Sequence, residues 1–242
     1  MLKRRHKTSD FGWFWAIMRP LMYITMLYIA IITGFRKSAD IPGIVTPYYI
    51  WLASGISAWF FIQDLIVGGG SCFRRYKGLL YNARFPRASI PLIPVLSYLY
   101  VHVIIVAIVV VMAIVSGVKP SICWLQLPVC ILLSVIFVYT WSFLTGMLSL
   151  LSNDILEFIG TCKPAFFWLS GILFNSRKSD NIFFVLNPIT FLVESYRNSL
   201  CYNMWLWGST RALAGFAAVY GLLALITVLV YKKLKYRLPE LI

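Results

Sequence analysis

The residues of this chain that could carry acid–base chemistry are few, and most stand far apart. Asp154 and Glu157 are three residues apart and would share one face of a helix, and Glu194 is three residues before Arg197. The two histidines share no spacing with other ligand types, so we predict no metal site. Without a third catalytic group, Asp154 and Glu157 are better interpreted as a contact patch, and Glu194 with Arg197 as a local ion pair.

Asp64 falls near the end of an apolar run, where a charge is costly and usually faces a partner or an aqueous path. It either lines a water-accessible pathway or reaches the membrane interface. Together with His102 and Glu194, it would supply the catalytic groups of a membrane-embedded transferase acting on lipid-linked sugars. The run GGGSCFRRYKG lacks the spacing of a phosphate loop, so we do not expect this chain to bind ATP or magnesium itself.

The elements that carry these residues are predicted to be transmembrane helices. Hydrophobic residues make up 60% of the 242-residue chain and charged residues only 12%, which is far outside the range of soluble proteins. A spanning helix needs about 20 mostly apolar residues. The sequence therefore predicts one all-α polytopic membrane domain over residues 1–242, with six spans at about 20–35, 47–70, 90–117, 122–151, 158–175 and 213–231.

The net charge of +14 lies in clusters between the apolar runs. This placement is typical of spans anchored at membrane lipids and argues against nucleic-acid binding. Most lysines and arginines fall on one side if both termini are cytoplasmic, so the positive-inside rule predicts that orientation in a cell membrane. The predicted location is the bacterial cytoplasmic (inner) membrane.

An external stretch, residues 176–211, contains two apolar pieces that are each too short to cross a bilayer, IFFVLNPITFLV and CYNMWLWG. Such pieces are typical of re-entrant helices, or of amphipathic helices that lie on the outer surface. The Asn187–Pro188 step should break the first piece and form a turn. Aromatic residues reach 17% of the chain, and belt anchoring explains most of them. An excess beyond anchoring would suit a path for sugar rings.

Six segments, in this order, resemble a known family: RRHKTSDFGWFWAIMRPLMY, PYYIWLASGISAWFFI, YNARFPRASIPLIPVL, NDILEF, FWLSGILF and LNPITFLVESYRNSL. They are similar to motifs in the permease subunit of type-2 ABC polysaccharide exporters, the group that moves O-antigens, capsules and teichoic acids. The resemblance covers nearly the whole chain. One departure is Asn153, which stands where the family usually has an arginine before Asp154.

The resemblance implies that the chain is a transport subunit and no enzyme. It further implies a homodimer bound to two copies of a cytoplasmic ATPase, which would hold the ATP and magnesium, and a lipid-linked polysaccharide as substrate. A loop that contacts the ATPase and gates the inner mouth would comprise Arg74, Arg75, Tyr76, Lys77, Arg84, Phe85 and Pro86. Asp154 and Glu157 would form a second ATPase contact.

The resemblance also implies a polymer path and an external gate. The path candidates are Trp13, Trp15, Tyr23, Tyr28, Trp59, Phe60 and Asp64. The external gate would comprise Asn187, Pro188, Glu194 and Arg197. The second motif is closer to the teichoic-acid branch than to O-antigen exporters, and a permease of the same fold with a non-sugar cargo is a further alternative.

Overall fold

A computed structural model of the chain describes residues 12–34, 46–80, 85–176 and 181–235. Within these ranges every regular element is helical. Five helices are long and apolar enough to cross a membrane: α1 (Gly12–Gly34), α2 (Tyr48–Gly68), α5 (Leu92–Val115), α6 (Leu127–Leu151) and α10 (Thr210–Leu234). The prediction of an all-α polytopic membrane protein is therefore confirmed, and five of the six predicted spans coincide with these helices.

The bounds differ at two of these spans. Helix α1 begins at Gly12, so the aromatic stretch before Pro20 belongs to the helix, which the prediction began at about residue 20. The predicted span 122–151 is divided into a 3-10 turn, Ile122–Gln126, and α6. Pro128, in the first turn of α6, explains where the α-helix begins, because proline fits best there, where its missing N–H has no intrahelical partner.

The predicted fifth span, residues 158–175, corresponds to a shorter helix, α7 (Asp154–Trp168). Its start is earlier than predicted because Asp154 and Glu157 place negative charge in the first turn, where it complements the helix dipole. Its end is earlier because the chain turns at Gly171, which has a φ of 65°. At 15 residues, α7 is only about 22 Å long, less than the hydrocarbon core of a bilayer. The six-span count stays a prediction.

Helix α2 is the centre of the bundle and packs against α1, α5, α6, α7 and a later helix, α9 (Pro188–Leu200). Most of its side chains are buried, whereas α1 and α10 are largely exposed. A run of small residues, Ala53 to Ala58 with Ile56 as the one large member, lets neighbouring helices approach α2 closely. Helix α2 therefore joins the other helices at the centre of the fold.

Short helices connect the long ones at both ends. Helices α3 (Cys72–Arg75) and α4 (Lys77–Leu80) follow α2, and a 3-10 turn, Arg87–Ser89, precedes α5. Beyond α7 lie α8 (Ile182–Leu186), α9 (Pro188–Leu200) and a 3-10 turn, Leu206–Gly208.

The predicted break at Asn187–Pro188 is confirmed. Asn187 separates α8 from α9, and its side-chain oxygen accepts hydrogen bonds from the backbone N–H groups of Ile189 and Thr190. Pro188 occupies the first turn of α9. All residues from Ile189 to Leu200 are buried, so α9 packs inside the bundle, whereas a helix lying on a surface would keep one face exposed. A re-entrant path through the membrane stays a prediction.

Candidate functional site

Two arginines mark opposite ends of the bundle. Arg74 follows the C-terminal end of α2 and contacts the corner between α6 and α7. Arg197, on α9, contacts the N-terminal part of α2 at Trp51. We call these regions the Arg74 end and the Arg197 end. Helix α7 and the segment after it, residues 169–176, connect the two ends.

Arg197 is fully buried and makes contacts on every side. Its Nη1 donates to the carbonyl oxygen of Gly171 at 2.8 Å and to Glu194 Oε1 at 2.9 Å, and Nη2 donates to the carbonyl of Ile172. Its Nε lies 3.4 Å from the carbonyl oxygen of Trp51, and the guanidinium carbon lies 3.5 Å from the centre of the Trp51 ring. A buried charge is tolerated only with such partners, so this cluster holds three segments of the chain together.

Two glycines make room for the Arg197 cluster. A Cβ on Gly55 would lie 2.6 Å from Arg197 Nη2, so any side chain there would force the guanidinium out of its position. Gly171 has the left-handed backbone conformation that orients its own carbonyl toward Arg197. The pair of Glu194 and Arg197, three residues apart on α9, is the predicted ion pair and is confirmed.

The other predicted external residues converge on the same segment after α7. Asn187 Nδ2 donates to the carbonyl oxygen of Leu169 at 3.1 Å and lies 3.3 Å from Ser170 Oγ, and Ser176 Oγ donates to Glu194 Oε1 at 3.1 Å. The chain leaves the α-helix after Trp168, and Arg197 and Asn187 donate hydrogen bonds to three backbone carbonyls of the segment that follows, those of Leu169, Gly171 and Ile172. The assignment of Asn187, Pro188, Glu194 and Arg197 as an external gate stays a prediction.

Arg74 has fewer partners and is only half-buried. Its Nη1 donates to Asn153 Oδ1 at 2.5 Å, and its Nη2 donates to the carbonyl of Ser149. Asparagine at position 153 accepts this hydrogen bond, whereas an arginine there would repel Arg74. This contact ties the loop after α2 to the start of α7.

The other residues of the predicted ATPase-contact loop differ in exposure. Arg75 and Lys77 are exposed, and Arg75 Nη2 donates to Ser71 Oγ at 3.1 Å. Tyr76 and Phe85 pack against a small apolar cluster at this end that includes Phe73 and Phe143. Pro86 precedes the 3-10 turn Arg87–Ser89, and Arg84 lies outside the described residues. Arg87, where the predicted loop ends, donates to the backbone carbonyl of Lys235 and fastens the end of α10.

Asp154 and Glu157 are exposed in the first turn of α7, beside the contact of Arg74 with Asn153. Ser152 Oγ donates to Asp154 Oδ2 at 3.0 Å, which fixes that carboxylate at the helix start. The acidic patch and the basic loop therefore occupy adjacent positions at the Arg74 end. Charges of both signs therefore lie on one exposed surface at this end.

Aromatic path candidates come together where α1, α2 and α7 meet. The ring centres of Tyr23 and Phe60 are 5.4 Å apart, those of Tyr23 and Phe167 are 6.3 Å apart, and those of Trp59 and Phe167 are 5.6 Å apart. Phe167, on α7, was not among the predicted residues. We call these four residues, Tyr23, Trp59, Phe60 and Phe167, the aromatic cluster.

The remaining path candidates lie elsewhere. Tyr28 packs edge to face on Tyr49 at 5.0 Å, and Trp15 is exposed beside Phe14 near the start of α1. Trp13 lies in α1, and its side chain is outside the described residues. Asp64 is half-buried near the C-terminal end of α2. Of the predicted path residues, the structure thus brings only Tyr23, Trp59 and Phe60 into one cluster.

Two of the three groups proposed for transferase chemistry, His102 and Glu194, are engaged in packing or ion pairing. His102 Nε2 lies 2.8 Å from Tyr196 Oη, and its ring stacks on Phe61 at 4.7 Å. Glu194 is paired with Arg197. Among the described residues, no group of three His, Cys, Asp or Glu side chains could hold a metal ion.

The fold and these contacts define the class: the chain is a multi-pass, all-helical membrane protein. No family model matches it. It is 25% identical over 247 residues to an O-antigen export system permease protein RfbA of Klebsiella pneumoniae, covering 100% of this chain and 91% of the relative. A permease of the same name from Myxococcus xanthus is 21% identical over 201 residues, covering 81% of this chain and 75% of the relative.

A second Klebsiella pneumoniae protein with that name is also 25% identical, over 245 residues. The similarity thus extends over the whole chain in two of these relatives and over most of it in the third. The predicted resemblance to the permease subunits of ABC-type polysaccharide exporters is confirmed.

Proposed function

We propose that this chain is the membrane-spanning subunit of an ATP-driven exporter that moves a lipid-linked cell-surface polysaccharide across the bacterial cytoplasmic membrane. The observation that carries the proposal is the full-length similarity to O-antigen export permeases. Their names favour an O-antigen-type polysaccharide as cargo. The likeness of one segment to the teichoic-acid branch stays a prediction.

In this proposal the exporter contains two copies of the chain and two copies of a cytoplasmic ATPase. The ATPase docks on the exposed charges at the Arg74 end, namely Arg75, Lys77, Asp154 and Glu157. ATP and magnesium stay in the ATPase. Both termini of the chain are cytoplasmic in this arrangement, since the Arg74 end carries the basic loop.

Helix α7 is the element suited to transmit the ATPase motion. Its first turn lies beside the Arg74 contact, and the segment after its last turn is held by Arg197. A push on the first turn would therefore tilt α7 about its anchored end. Phe167 lies in the last turn of α7, next to this anchored end, so the tilt would change the orientation of its ring against Trp59, and the aromatic cluster between α1 and α2 would open as the wall of a sugar path.

The proposal is tested by replacing Arg74, Arg75 and Arg84 together with glutamine in cells that depend on this exporter. We expect surface polysaccharide to be lost, together with co-purification of the ATPase, because the basic contact is removed while the apolar helices are unchanged. Lys119→Gln, an exposed lysine after α5 and far along the chain from this loop, is the matched control and should export normally. Unchanged export in the triple variant would contradict the proposed docking role.

A further inference from the structure

The start of the ATPase-contact loop packs on α6. Helix α3, which follows α2, contacts the inner half of α6, and its residues Cys72 and Phe73 are fully buried there. Gly146 permits this approach, because a Cβ at that position would lie 2.7 Å from Phe73 Cδ2 and 3.1 Å from Cys72 Sγ. The hydroxyl of Ser149 shares its hydrogen between the carbonyl oxygens of Gly146 at 2.8 Å and Gly70 at 3.0 Å. The start of the loop is therefore fastened to α6.

The end of the same loop is fastened to α6 and α10. In the 3-10 turn before α5, the carbonyl oxygen of Ala88 accepts a hydrogen bond of 3.0 Å from Tyr139 Oη on α6. Arg87, in the same turn, donates to the backbone carbonyl of Lys235, immediately after α10. Tyr139 and Gly146 are seven residues apart on α6 and so lie on one helix face. One face of α6 thus holds both the start and the end of the loop.

An apolar cluster at the Arg74 end joins these parts. Its buried members come from the loop (Cys72, Phe73 and Ile90), from α6 (Phe143, Met147 and Leu150) and from α10 (Leu234). The ring centres of Phe143 and Tyr231, on α6 and α10, are 5.3 Å apart. Among the described residues, no member of this cluster belongs to α7. Because a close-packed interior resists compression, a displacement of the loop is transmitted directly to α6 and α10.

The contact of the loop with the start of α7 is of a different kind. Arg74 reaches Asn153 through a partly exposed hydrogen bond. Gly70, before α3, lies close to the side chain of Leu156 on α7. Water can compete for the polar contact, whereas the contact with α6 and α10 is a buried apolar interior. The loop is thus held more firmly by α6 and α10 than by α7.

We propose that the loop moves as one rigid body with the inner half of α6 and the end of α10. In this arrangement Tyr139, Gly146 and Ser149 are positioning residues that hold the loop in the orientation in which it meets the ATPase. The inference rests on the proposed function, which supplies the ATPase but assigns no role to α6 and α10. ATP-driven movement of the ATPase then displaces α6 and α10 relative to α7, and the two bodies part at the contact of Arg74 with Asn153.

A reversible cross-link tests whether the loop and α6 move together. In Gly146→Cys the new side chain would lie beside Cys72, at a distance that a disulfide can bridge. The variant is assembled with its ATPase in proteoliposomes, and polysaccharide export is measured after oxidation with copper phenanthroline and again after reduction. We expect the oxidised complex to export within about twofold of the reduced one, because a bond inside a rigid body does not oppose its movement. Peptide mass spectrometry gives the cross-linked fraction, and the wild type treated with the same oxidant is the control.

A matched pair of tyrosine variants tests the positioning role. Tyr139→Phe removes only the hydroxyl that holds the 3-10 turn, so we expect about a threefold fall in the polysaccharide exported per ATP hydrolysed. Tyr220→Phe is the control, because its hydroxyl lies 3.2 Å from Thr140 Oγ1 and joins α10 to α6 without contacting the loop. The control should keep the wild-type ratio, and the thermal midpoints of the two variants should agree. A merely structural role would change the midpoint and leave the ratio of export to hydrolysis unchanged.

Two outcomes would overturn the inference. Export that is lost on oxidation of Gly146→Cys and returns on reduction would show that the loop moves against α6. A wild-type ratio in Tyr139→Phe would show that this hydroxyl does not position the loop. If the reduced Gly146→Cys complex does not export, because the new side chain displaces Phe73, the tyrosine pair decides alone. A wild-type complex that hydrolyses ATP but exports no polysaccharide would contradict the proposed function instead.

Discussion

Helix α7 and the segment after it are held differently at their two ends, by Arg74 at one end and by Arg197 at the other. Arg74 is half-buried and donates to two neutral acceptors, Ser149 and Asn153. Arg197 is fully buried and is held by three carbonyls, a carboxylate and an indole ring. Water can replace the partners of Arg74, but nothing replaces those of Arg197. The difference indicates that α7 has one releasable end and one fixed end.

Arg197→Met should have the largest effect. The substitution leaves Glu194 buried without its cation and three carbonyls without donors, so we expect a loss of about 3–5 kcal/mol of stability. The measurement is the thermal midpoint of the detergent-solubilised chain. Combining it with Glu194→Gln should recover part of the loss, since the uncompensated carboxylate is gone. If Arg197→Met alone is as stable as the wild type, the Arg197 end is not fixed.

Gly55→Ala should have the next largest effect. Its Cβ would lie 2.6 Å from Arg197 Nη2, so the guanidinium must shift, at a cost of about 1–3 kcal/mol. Gly221→Ala on α10 is the matched control, because no heavy atom of the described residues outside its own helix backbone lies within 4 Å of that position. The control should be neutral or slightly stabilising. In an Arg197→Met background, Gly55→Ala should cost clearly less than alone.

Arg74→Gln should change stability by less than about 1 kcal/mol, because its contact is partly exposed to solvent. Export should nevertheless fall, since the loop after α2 is no longer tied to the start of α7. Surface polysaccharide and thermal midpoint are measured on the same preparations. Arg75→Gln, which loses only a bond to Ser71 in the same loop, should impair export less. A stability loss equal to that of Arg197→Met would remove the distinction between the two ends.

The smallest effect should be on the reactivity of Cys72, in α3. Burial raises the pKa of this thiol to about 12, so little thiolate is present near neutral pH and maleimide should modify it slowly. In Arg74→Gln the loop is looser and the thiol less buried, so its pKa falls and we expect a several-fold faster modification near neutral pH. Site-resolved mass spectrometry gives the rate, and Cys72→Ser is the blank. Equal rates in both proteins would indicate that Arg74 does not restrain the loop.

The long helices could be predicted from the sequence because apolar run length is a local property. The break at Asn187–Pro188 was predictable for the same reason, since proline and an asparagine cap act on their own neighbours. The end of α7 was not. It depends on the turn at Gly171, which is held by Arg197, 26 residues away along the chain, through backbone carbonyls that have no signature in the sequence.

The candidate site was predicted only in part for a related reason. Glu194 and Arg197 could be paired from their spacing, but the roles of Gly55 and Trp51 require knowing that α9 packs on α2. The Trp51 carbonyl is 146 residues from Arg197 in the chain. Likewise, Phe167 joined the aromatic cluster only because α7 ends beside α2.

The most direct test of the account is transport in proteoliposomes that contain the purified chain with and without its ATPase. We predict that lipid-linked polysaccharide crosses the membrane only when the ATPase and hydrolysable ATP are both present. The chain alone should neither transport nor modify the lipid-linked sugar. Turnover of a lipid-linked sugar by the chain alone, without nucleotide, would contradict the account and support the transferase alternative.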